Sequence, residues 1–226
     1  MRRVFTGAST SPAEVETRDG RAWVMKMSGA GPGPRGLLTE YLALGIARAF
    51  GAPVPEARVL WLPPGFPWMA GTDEFDSMLQ RSYGWNLGVG LIPGARAATV
   101  AEALGCESAI LRRIAAADAF LRNMDRTAEN ANLLIGDGRF WAIDFDACLY
   151  LTRALTKARP PERALPPGHL LRPRWPVAEG PVPPIDFDAL LAEAPEDWLA
   201  TTGLGRAELA GSLRDYAAAW DGQSAE

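Results

Sequence analysis

The sequence predicts an α+β protein with two lobes, a small sheet-rich N-terminal lobe and a mostly helical C-terminal lobe. Three features predict this arrangement. Short β-prone runs recur in residues 1–62. Apolar side chains at helical spacing dominate residues 99–123 and recur in residues 186–220. We place the boundary after residue 98, which gives an N-terminal lobe of residues 1–98 and a C-terminal lobe of residues 99–226.

The N-terminal part predicts a β-β-helix-β order. In the β-prone run 21–27, successive side chains point to opposite faces, so that Ala22, Val24 and Lys26 share one face. In the helical run, apolar side chains recur every three or four residues. The predicted elements are strands over 13–17 and 21–27 around the turn pair Asp19-Gly20, a helix over 37–50 that stops at Gly51, and a strand over 57–62.

The rest of the chain is more uneven. Residues 63–98 carry many Gly and Pro residues, and within them the run 77–83 predicts a strand. Residues 160–184 contain nine of the 19 prolines, which predicts an irregular connector. The other predicted elements are two helices within 99–123 with a break at Gly105, strands over 132–135 and 139–143, and two or three short helices in 186–220.

The composition is that of an ordinary globular protein. Of 226 residues, 48% are hydrophobic and 22% are charged, which is enough apolar sequence for a sizeable core. The formal net charge is −4, so no bulk basic character points to direct nucleic-acid binding. No run has the length and apolarity of a signal peptide or a membrane span, so we expect no membrane association.

The cysteines and the histidine exclude several kinds of site. Cys106 and Cys148 form no CxxC pair, a usage typical of a reducing compartment, and we therefore expect a cytoplasmic protein. The single histidine, His169, lies in the proline-rich stretch. One histidine leaves almost no material for a Ser-His-Asp triad or a histidine-based metal site.

Three polar residues behind the second predicted helix point to a metal and a nucleotide. Asp125 lies in a short loop, Asn130 follows five residues later, and Asp144 follows the apolar run 140–143. Mg²⁺ takes one or two carboxylates plus phosphate oxygens, and phosphoryl transfer needs a carboxylate to orient the attacking hydroxyl. Asp125 would then face the acceptor, while Asn130 and Asp144 would hold the metal. The alternative is a structural loop, because Asp and Asn also hydrogen-bond their local backbone.

This pattern resembles a known family. The motif D-R-x-x-x-N at residues 125–130, followed by a hairpin that ends in I-D at 143–144, resembles the HipA-like kinases and, more distantly, the phosphatidylinositol kinases. The likeness runs from about Thr6 to about Leu149. It implies a two-lobed protein-kinase-like fold.

The resemblance assigns roles to the polar residues of the loop. It implies that Asp125 is the catalytic base and that Asn130 and Asp144 are Mg²⁺ ligands. Two positions depart from the family pattern: Thr127 stands where a His is frequent, and Asp146 where a small residue is expected. The first departure would alter the bracing of the loop. In the second departure, the extra carboxylate of Asp146 would either bind a second ion or be solvated.

Lys26 is the other charged residue with a predicted role. It lies inside an apolar strand, where an unpaired ammonium is costly, and Glu40 in the following helix is placed to pair with it. The alternative is an edge-strand lysine that reaches water. The pair resembles the phosphate-positioning lysine and helix glutamate of kinase folds, and the small-residue loop 7–12 resembles the phosphate-covering loop of the family. The candidate ATP-binding residues are therefore Lys26, Glu40, Gly7, Ser9, Thr10 and Ser11.

The leading interpretation is an ATP- and Mg²⁺-dependent phosphotransferase. By order along the chain, residues 77–83 would link the lobes and hydrogen-bond the adenine. The resemblance implies a protein Ser/Thr hydroxyl as the acceptor. It also suggests an antitoxin-like protein as a partner. Three alternatives stay open: a kinase for a lipid or small-molecule hydroxyl, a non-catalytic kinase-fold nucleotide-binding or scaffold protein, and an α+β protein whose Asp-Asn loop is structural.

Overall fold

A computed structural model of the chain describes residues 1–5, 10–68, 72–105, 108–148 and 162–222. In these residues the protein is a mixed α/β structure in which helices pack against antiparallel sheets. No helix among them is long and apolar enough to cross a membrane.

A five-stranded antiparallel sheet forms the first half of the structure. The predicted hairpin and the predicted strand over 57–62 are confirmed, and Gly20 takes the positive φ of 78° that the hairpin turn requires. The strand order is β1-β2-β3-β5-β4. The strands are β1 Arg3–Val4, β2 Ala13–Glu16, β3 Ala22–Lys26, β4 Ala57–Leu62 and β5 Gly84–Gly90.

Strand β3 directs Lys26 away from the core. Trp23 and Met25 are buried on one face, while Val24 and Lys26 on the other face are only partly buried. This alternation is the one expected for a strand with one face on the core. Lys26 lies opposite Leu87 of β5, at the end of the sheet where the candidate site is found.

Helix α1, Gly33–Ala49, follows β3 and is buried along most of its length. Pro34 occupies its first turn, where a missing N–H costs nothing. The predicted stop is confirmed, since Gly51 follows the last turn with a φ of 75°. Because α1 contacts β4, β5 and the later helices, it fixes Glu40 between the sheet and the rest of the chain.

The strand predicted over 77–83 is wrong. Residues Asp73–Arg81 form helix α2, whose acidic first turn suits the positive end of the helix dipole. Phe75, Met78 and Leu79, spaced three and four residues apart, are the buried side chains. Helical periodicity therefore prevails over the β-prone composition of the run.

Strand β5 has no counterpart in the sequence prediction. Its sequence, GWNLGVG, has three glycines, which weaken a strand pattern. Nevertheless β5 lies between β3 and β4 in the sheet. Gly88 explains part of this, because an added Cβ there would lie 2.6 Å from Leu60 Cδ1 and 3.3 Å from Trp23 Cε3.

The second half of the structure confirms the predicted order of helices and strands. The break at Gly105 separates two helices, and residues 162–184 contain isolated bridges but no helix or named strand. Strands β6, β7 and β8 form a three-stranded sheet. The elements are β6 Arg96–Ala97, α3 Val100–Gly105, α4 Ser108–Leu121, β7 Leu133–Gly136, β8 Arg139–Ala142, α5 Phe187–Ala192, α6 Glu196–Ala200 and α7 Arg206–Asp221.

Two clusters of buried apolar side chains hold these elements together. The smaller cluster lies between the five-stranded sheet and α2 and includes Trp23, Leu60 and Phe75. The larger cluster contains most of α1 and α4 together with the C-terminal helices, and it includes Phe120 and Trp220. The candidate site lies where elements of both clusters meet.

Gly88→Ala is expected to lower the free energy of unfolding by about 1–3 kcal/mol, because the new methyl overpacks the sheet against Leu60. Gly211→Ala in α7 is the matched control. A Cβ there meets nothing within 4 Å, and alanine should raise helix stability by about 0.5–1 kcal/mol. Urea unfolding measures both variants. Equal stability of the two would contradict the packing of β5.

Candidate functional site

Lys26 joins two carboxylates that come from distant parts of the sequence. Its Nζ donates to Glu40 Oε2 in α1 and, at 2.6 Å, to Asp144 Oδ1 after β8. The Glu40 side chain is 2% exposed and that of Asp144 is 38% exposed, so the cluster runs from the core to the surface. The structure thus brings Lys26 and Glu40 together, as the sequence predicts, and adds Asp144 to the pair.

The electrostatics of this cluster favour an additional cation. Burial lowers the pKa of Lys26, but the charges of Glu40 and Asp144 outweigh it and leave the pKa above its ordinary value. Burial raises the pKa of Glu40 to about 7, and the neighbouring Asp144 and Asp146 contribute to the rise while Lys26 opposes it. Burial and the charge of Asp144 also raise the pKa of Asp146. One ammonium therefore faces an excess of carboxylates.

Glu40, Asp144 and Asp146 form a set of oxygen donors that fits a hard cation. Carboxylate oxygens of the three lie within 4.8 Å of one another, and Mg²⁺ binds through oxygen ligands of this kind. The backbone of Asp144 is in the left-handed region, with a φ of 59°. Such a conformation costs roughly 1–3 kcal/mol for a non-glycine residue and is typical of functional sites.

A cavity of about 570 Å³ opens beside Lys26, within the usual size range of small-molecule sites. Val24 and Val89 of the five-stranded sheet line one side of it, and Leu134 and Ile143 line another. Glu40, Lys26 and Asp144 are also among its lining residues. The cavity is therefore mainly apolar. Lys26, Glu40 and Asp144 form its charged end, and Arg3 and Arg96 also line it.

The link predicted at residues 77–83 is wrong. Residues 77–81 belong to α2, and Ser82 is buried with its hydroxyl donating to the Met78 carbonyl oxygen. The segment that leaves the five-stranded sheet and lines the cavity is residues 91–95, between β5 and β6. Because β5 was not predicted, the sequence order placed the link one element too early.

Three amide side chains hold Asp125 in the loop after α4. Asp125 Oδ2 accepts hydrogen bonds from Asn130 Nδ2 at 2.8 Å and from Asn132 Nδ2 at 2.9 Å. The backbone N–H of Asp125 donates to Asn123 Oδ1 at 3.1 Å. The charge of Asp125 also contributes to the raised pKa of Asp146, so the loop is within electrostatic reach of the acidic cluster. Since the Asn130 nitrogen is engaged with Asp125, a metal would use its amide oxygen.

Asn132 connects this loop to the strand that carries Asp144. Its side chain donates to Asp125, and its carbonyl oxygen accepts from the backbone N–H of Ile143 at 3.0 Å. The same carbonyl accepts from Arg126 Nη1 at 2.7 Å. Asn132 therefore sets the separation between the loop carboxylate and the acidic cluster.

A fully buried ion pair lies under the loop. Arg126 Nε donates to Asp118 Oδ2 at 2.6 Å, and both side chains have no exposed surface. Asn123 Nδ2 donates to Asp118 Oδ1 at 2.9 Å, and His169 Nε2 lies 3.1 Å from Asp118 Oδ2. Although burial alone would raise it, the charge of Arg126 and the hydrogen bonds from His169 and Arg126 lower the pKa of Asp118 to about 2.

Comparison with known proteins agrees with the kind of chemistry that the site residues indicate. Residues 1–156 match the family model of the HipA-like kinases, which is more than half of the 226-residue chain. The chain belongs to the HipA-like kinase family. No curated protein matches the sequence. Among solved structures, the crystal structure of a Helicobacter pylori proinflammatory kinase, CtkA, is similar with a TM-score of 0.49 and 15% identity, over 99% of this chain and 95% of that one.

The other predicted site residues of this HipA-like kinase are distributed as follows. Thr10 lines both the large cavity and a small one of about 20 Å³ beside Lys26 and Asp146. Ser11 adjoins it with a φ of 43°. Gly7 and Ser9 lie outside the described residues, so their predicted contact with phosphate stays a prediction. Thr127, where a His is frequent in the family, accepts a hydrogen bond from the Asn130 backbone N–H at 3.2 Å.

Asp118 and Asn123 lie close to the loop in the sequence and are predicted to brace it, and the structure confirms their contacts. Sequence reasoning missed the other two bracing groups, Arg126 and His169. Arg126 looked like a surface residue, because arginine is almost never fully buried. Asp118 carried a usable signal, since it interrupts the apolar stripe of α4 beside Ala117 and Leu121. A carboxylate on the buried face of a helix requires a buried cation. His169 gave no signal beyond being the single histidine.

Asp118→Asn is expected to destabilise the protein by about 3–5 kcal/mol at neutral pH, because it leaves the Arg126 charge buried without a counter-charge. The folded pKa of Asp118, about 2, lies below the ordinary value of 3.8. Its contribution is therefore present above about pH 4 and is lost as the pH falls towards 2. Urea unfolding should show a difference between wild type and variant that is constant at neutral pH and shrinks below pH 4.

The matched control for Asp118→Asn is Asp137→Asn, which makes the same change in the exposed turn between β7 and β8. It should leave the stability within about 0.5 kcal/mol of wild type. A difference between wild type and Asp118→Asn that does not shrink in acid would show that the carboxylate charge contributes nothing.

Proposed function

We propose that the protein is an ATP- and Mg²⁺-dependent phosphotransferase whose active site is the Lys26 cluster and the Asp125 loop. The observation that carries the proposal is the position of Lys26, which contacts Glu40 and Asp144 at the charged end of a cavity of about 570 Å³. A lysine held by a helix glutamate is how kinase folds position nucleotide phosphates. Membership of the HipA-like kinase family supports the same reaction class.

The cavity suggests how the nucleotide lies. Its apolar walls, with Val24 and Ile143 on different elements, suit a purine. Residues 91–95 line the cavity and would hydrogen-bond the purine edge. Lys26 at the charged end then meets the phosphates, with Thr10 beside it. The proposal places the nucleotide between two lobes, which the sequence predicts as residues 1–98 and 99–226.

Asp144 and Asn130 are the proposed metal ligands, and Asp146 is a further oxygen donor close to Asp144. The bound Mg²⁺ would neutralise charge on the phosphate oxygens. The chain supplies an excess of carboxylates around one ammonium, as the raised pKa values of Glu40 and Asp146 indicate. Glu40 is engaged with Lys26, so we assign it to positioning the lysine.

Asp125 is the proposed catalytic base. Its Oδ2 is held by Asn130 and Asn132, which fixes the plane of the carboxylate and orients it towards an incoming hydroxyl. In the reaction the hydroxyl oxygen would form the new bond to phosphorus, its proton would pass to Asp125, and ADP would leave. Positioning and charge stabilisation are the main contributions to phosphoryl transfer.

We propose a protein Ser/Thr hydroxyl as the acceptor, as the sequence resemblance implies. A kinase for a lipid or small-molecule hydroxyl is the alternative, as is a kinase fold kept for nucleotide binding or scaffolding. An antitoxin-like protein partner and a cytoplasmic location remain predictions from the sequence.

Asp125→Asn is expected to lower kcat by about 10²–10⁴-fold, because an amide cannot accept the proton of the acceptor hydroxyl. Binding of Mg²⁺-ATP should stay within a few-fold of wild type. The assay follows transfer from γ-labelled ATP to a degenerate Ser/Thr peptide library, together with release of ADP. Asp137→Asn, in the exposed β7–β8 turn, is the matched control and should be fully active.

One result would change the proposed acceptor, and another would contradict the proposed catalysis. ADP release that responds to phosphoinositide vesicles or small polyols, and not to peptides, would replace the protein acceptor by a lipid or small molecule. A wild-type protein that binds ATP without turnover, and that Asp125→Asn does not alter, would contradict the catalytic proposal and favour a nucleotide-binding scaffold.

A further inference from the structure

Residues 164–178, which we name the strap, lie beyond the part of the chain that matches the family, since the match ends at residue 156. Their ends are joined by a bridge between Ala164 and Val177. The strap has no helix or named strand, yet Leu165 and Leu171 within it are almost completely buried. It is therefore a packed segment of the structure and is not a surface loop.

The strap touches the loop that carries Asp125. An antiparallel bridge joins Thr127 to His169, and the backbone N–H of Leu170 donates to the Arg126 carbonyl oxygen at 2.8 Å. These are backbone contacts to the two residues that directly follow Asp125.

Among the described residues, one side-chain hydrogen bond joins the strap to the buried ion pair, and His169 makes it. Its Nδ1 accepts the backbone N–H of Leu171 at 3.1 Å, so Nδ1 carries no proton and Nε2 does. The Nε2–H then donates to Asp118 Oδ2 at 3.1 Å. Since His169 is 3% exposed, water does not compete for these bonds.

The contact continues to the proposed catalytic base. Asp118 accepts from Asn123 Nδ2, and Asn123 Oδ1 accepts from the backbone N–H of Asp125. A chain of hydrogen bonds thus runs from His169 through Asp118 and Asn123 to Asp125. Each member of the chain except Asp125 is buried, so the chain transmits position with little freedom.

We propose that the strap is a positioning element of the active site and that His169 is its positioning residue, which orients the Asp125 loop through Asp118. The inference rests on the proposed function for the role of Asp125. It assigns to residues outside the family match a part in the phosphotransfer step, namely to hold the base where the acceptor hydroxyl arrives.

Two substitutions separate the two bonds of His169. His169→Gln retains a donor of similar reach towards Asp118, whereas His169→Asn retains an acceptor for Leu171 and is too short to reach Asp118. We expect kcat to fall about 10- to 100-fold in His169→Asn, the usual effect of losing a group that orients a functional residue. His169→Gln should recover kcat to within about threefold of wild type, and KM for ATP should change less than twofold in both.

Two spectroscopic readouts do not depend on activity. Because His169 is the single histidine of the chain, its ¹⁵N imidazole signals stand alone and should report the Nε2–H tautomer in the folded protein. Hydrogen exchange of the Thr127 and Leu170 amides should be faster in His169→Asn than in His169→Gln. Val177→Ala, at a half-exposed strap position, is the control and should match wild type in every readout.

A folded His169→Asn protein with wild-type kcat and wild-type amide protection would overturn the inference, as would the Nδ1–H tautomer. If His169→Asn does not fold, His169→Gln becomes the test of the inference. A large loss of kcat in His169→Gln would overturn the inference. A wild type that transfers no phosphate would instead refute the proposed function. The tautomer and the exchange rates would then still decide whether the strap orders the loop.

Discussion

The buried ion pair between Asp118 and Arg126 is the interaction on which the candidate site depends. Neither side chain has exposed surface, so neither charge is stable without the other. Arg126 also donates to the carbonyl oxygens of Ala131 and Asn132, and its guanidinium lies 5.1 Å from the centre of the Phe145 ring. One pair therefore fixes both the Asp125 loop and the segment between Asp144 and Asp146. The proposed catalytic and metal-binding parts of the site are held by the same buried charges.

Much of the fold could be predicted because local patterns decide it. The β2–β3 hairpin, the helix that ends before Gly51 and the strands on either side of residues 136–138 follow from alternation, periodicity and turn residues. Strand β5 could not be predicted, since its three glycines remove the side chains by which a strand is recognised. Its place in the sheet depends on close contact between Gly88 and Leu60, a tertiary constraint. The wrong placement of the predicted link at residues 77–83 followed from this one omission.

The candidate site was predictable where residues act through their own chemistry. A lysine in an apolar strand needs a carboxylate, and the structure supplies Glu40. The motif residues Asp125 and Asn130 are in contact, and Asp144 meets Lys26 from 118 residues away. Among the bracing groups, Asp118 and Asn123 were predicted from their position beside the loop. Arg126 and His169 were not, because the burial of the one and the approach of the other depend on how distant segments pack. Sequence patterns therefore indicate the candidate reactive groups of a site more clearly than the groups that hold them in place.

The most direct test of the account is calorimetric binding of ATP to the wild type, with Mg²⁺ and with EDTA, and to Asp144→Asn. Asp137→Asn is the matched control, because residues 137 and 144 share a positive φ, 53° and 59°, which asparagine tolerates. We predict that ATP binds the wild type more tightly with Mg²⁺ than with EDTA. This gain in affinity should fall roughly 10-fold or more in Asp144→Asn and stay unchanged in Asp137→Asn. A folded wild type that binds no ATP, or a Mg²⁺ effect that survives in Asp144→Asn, would contradict it.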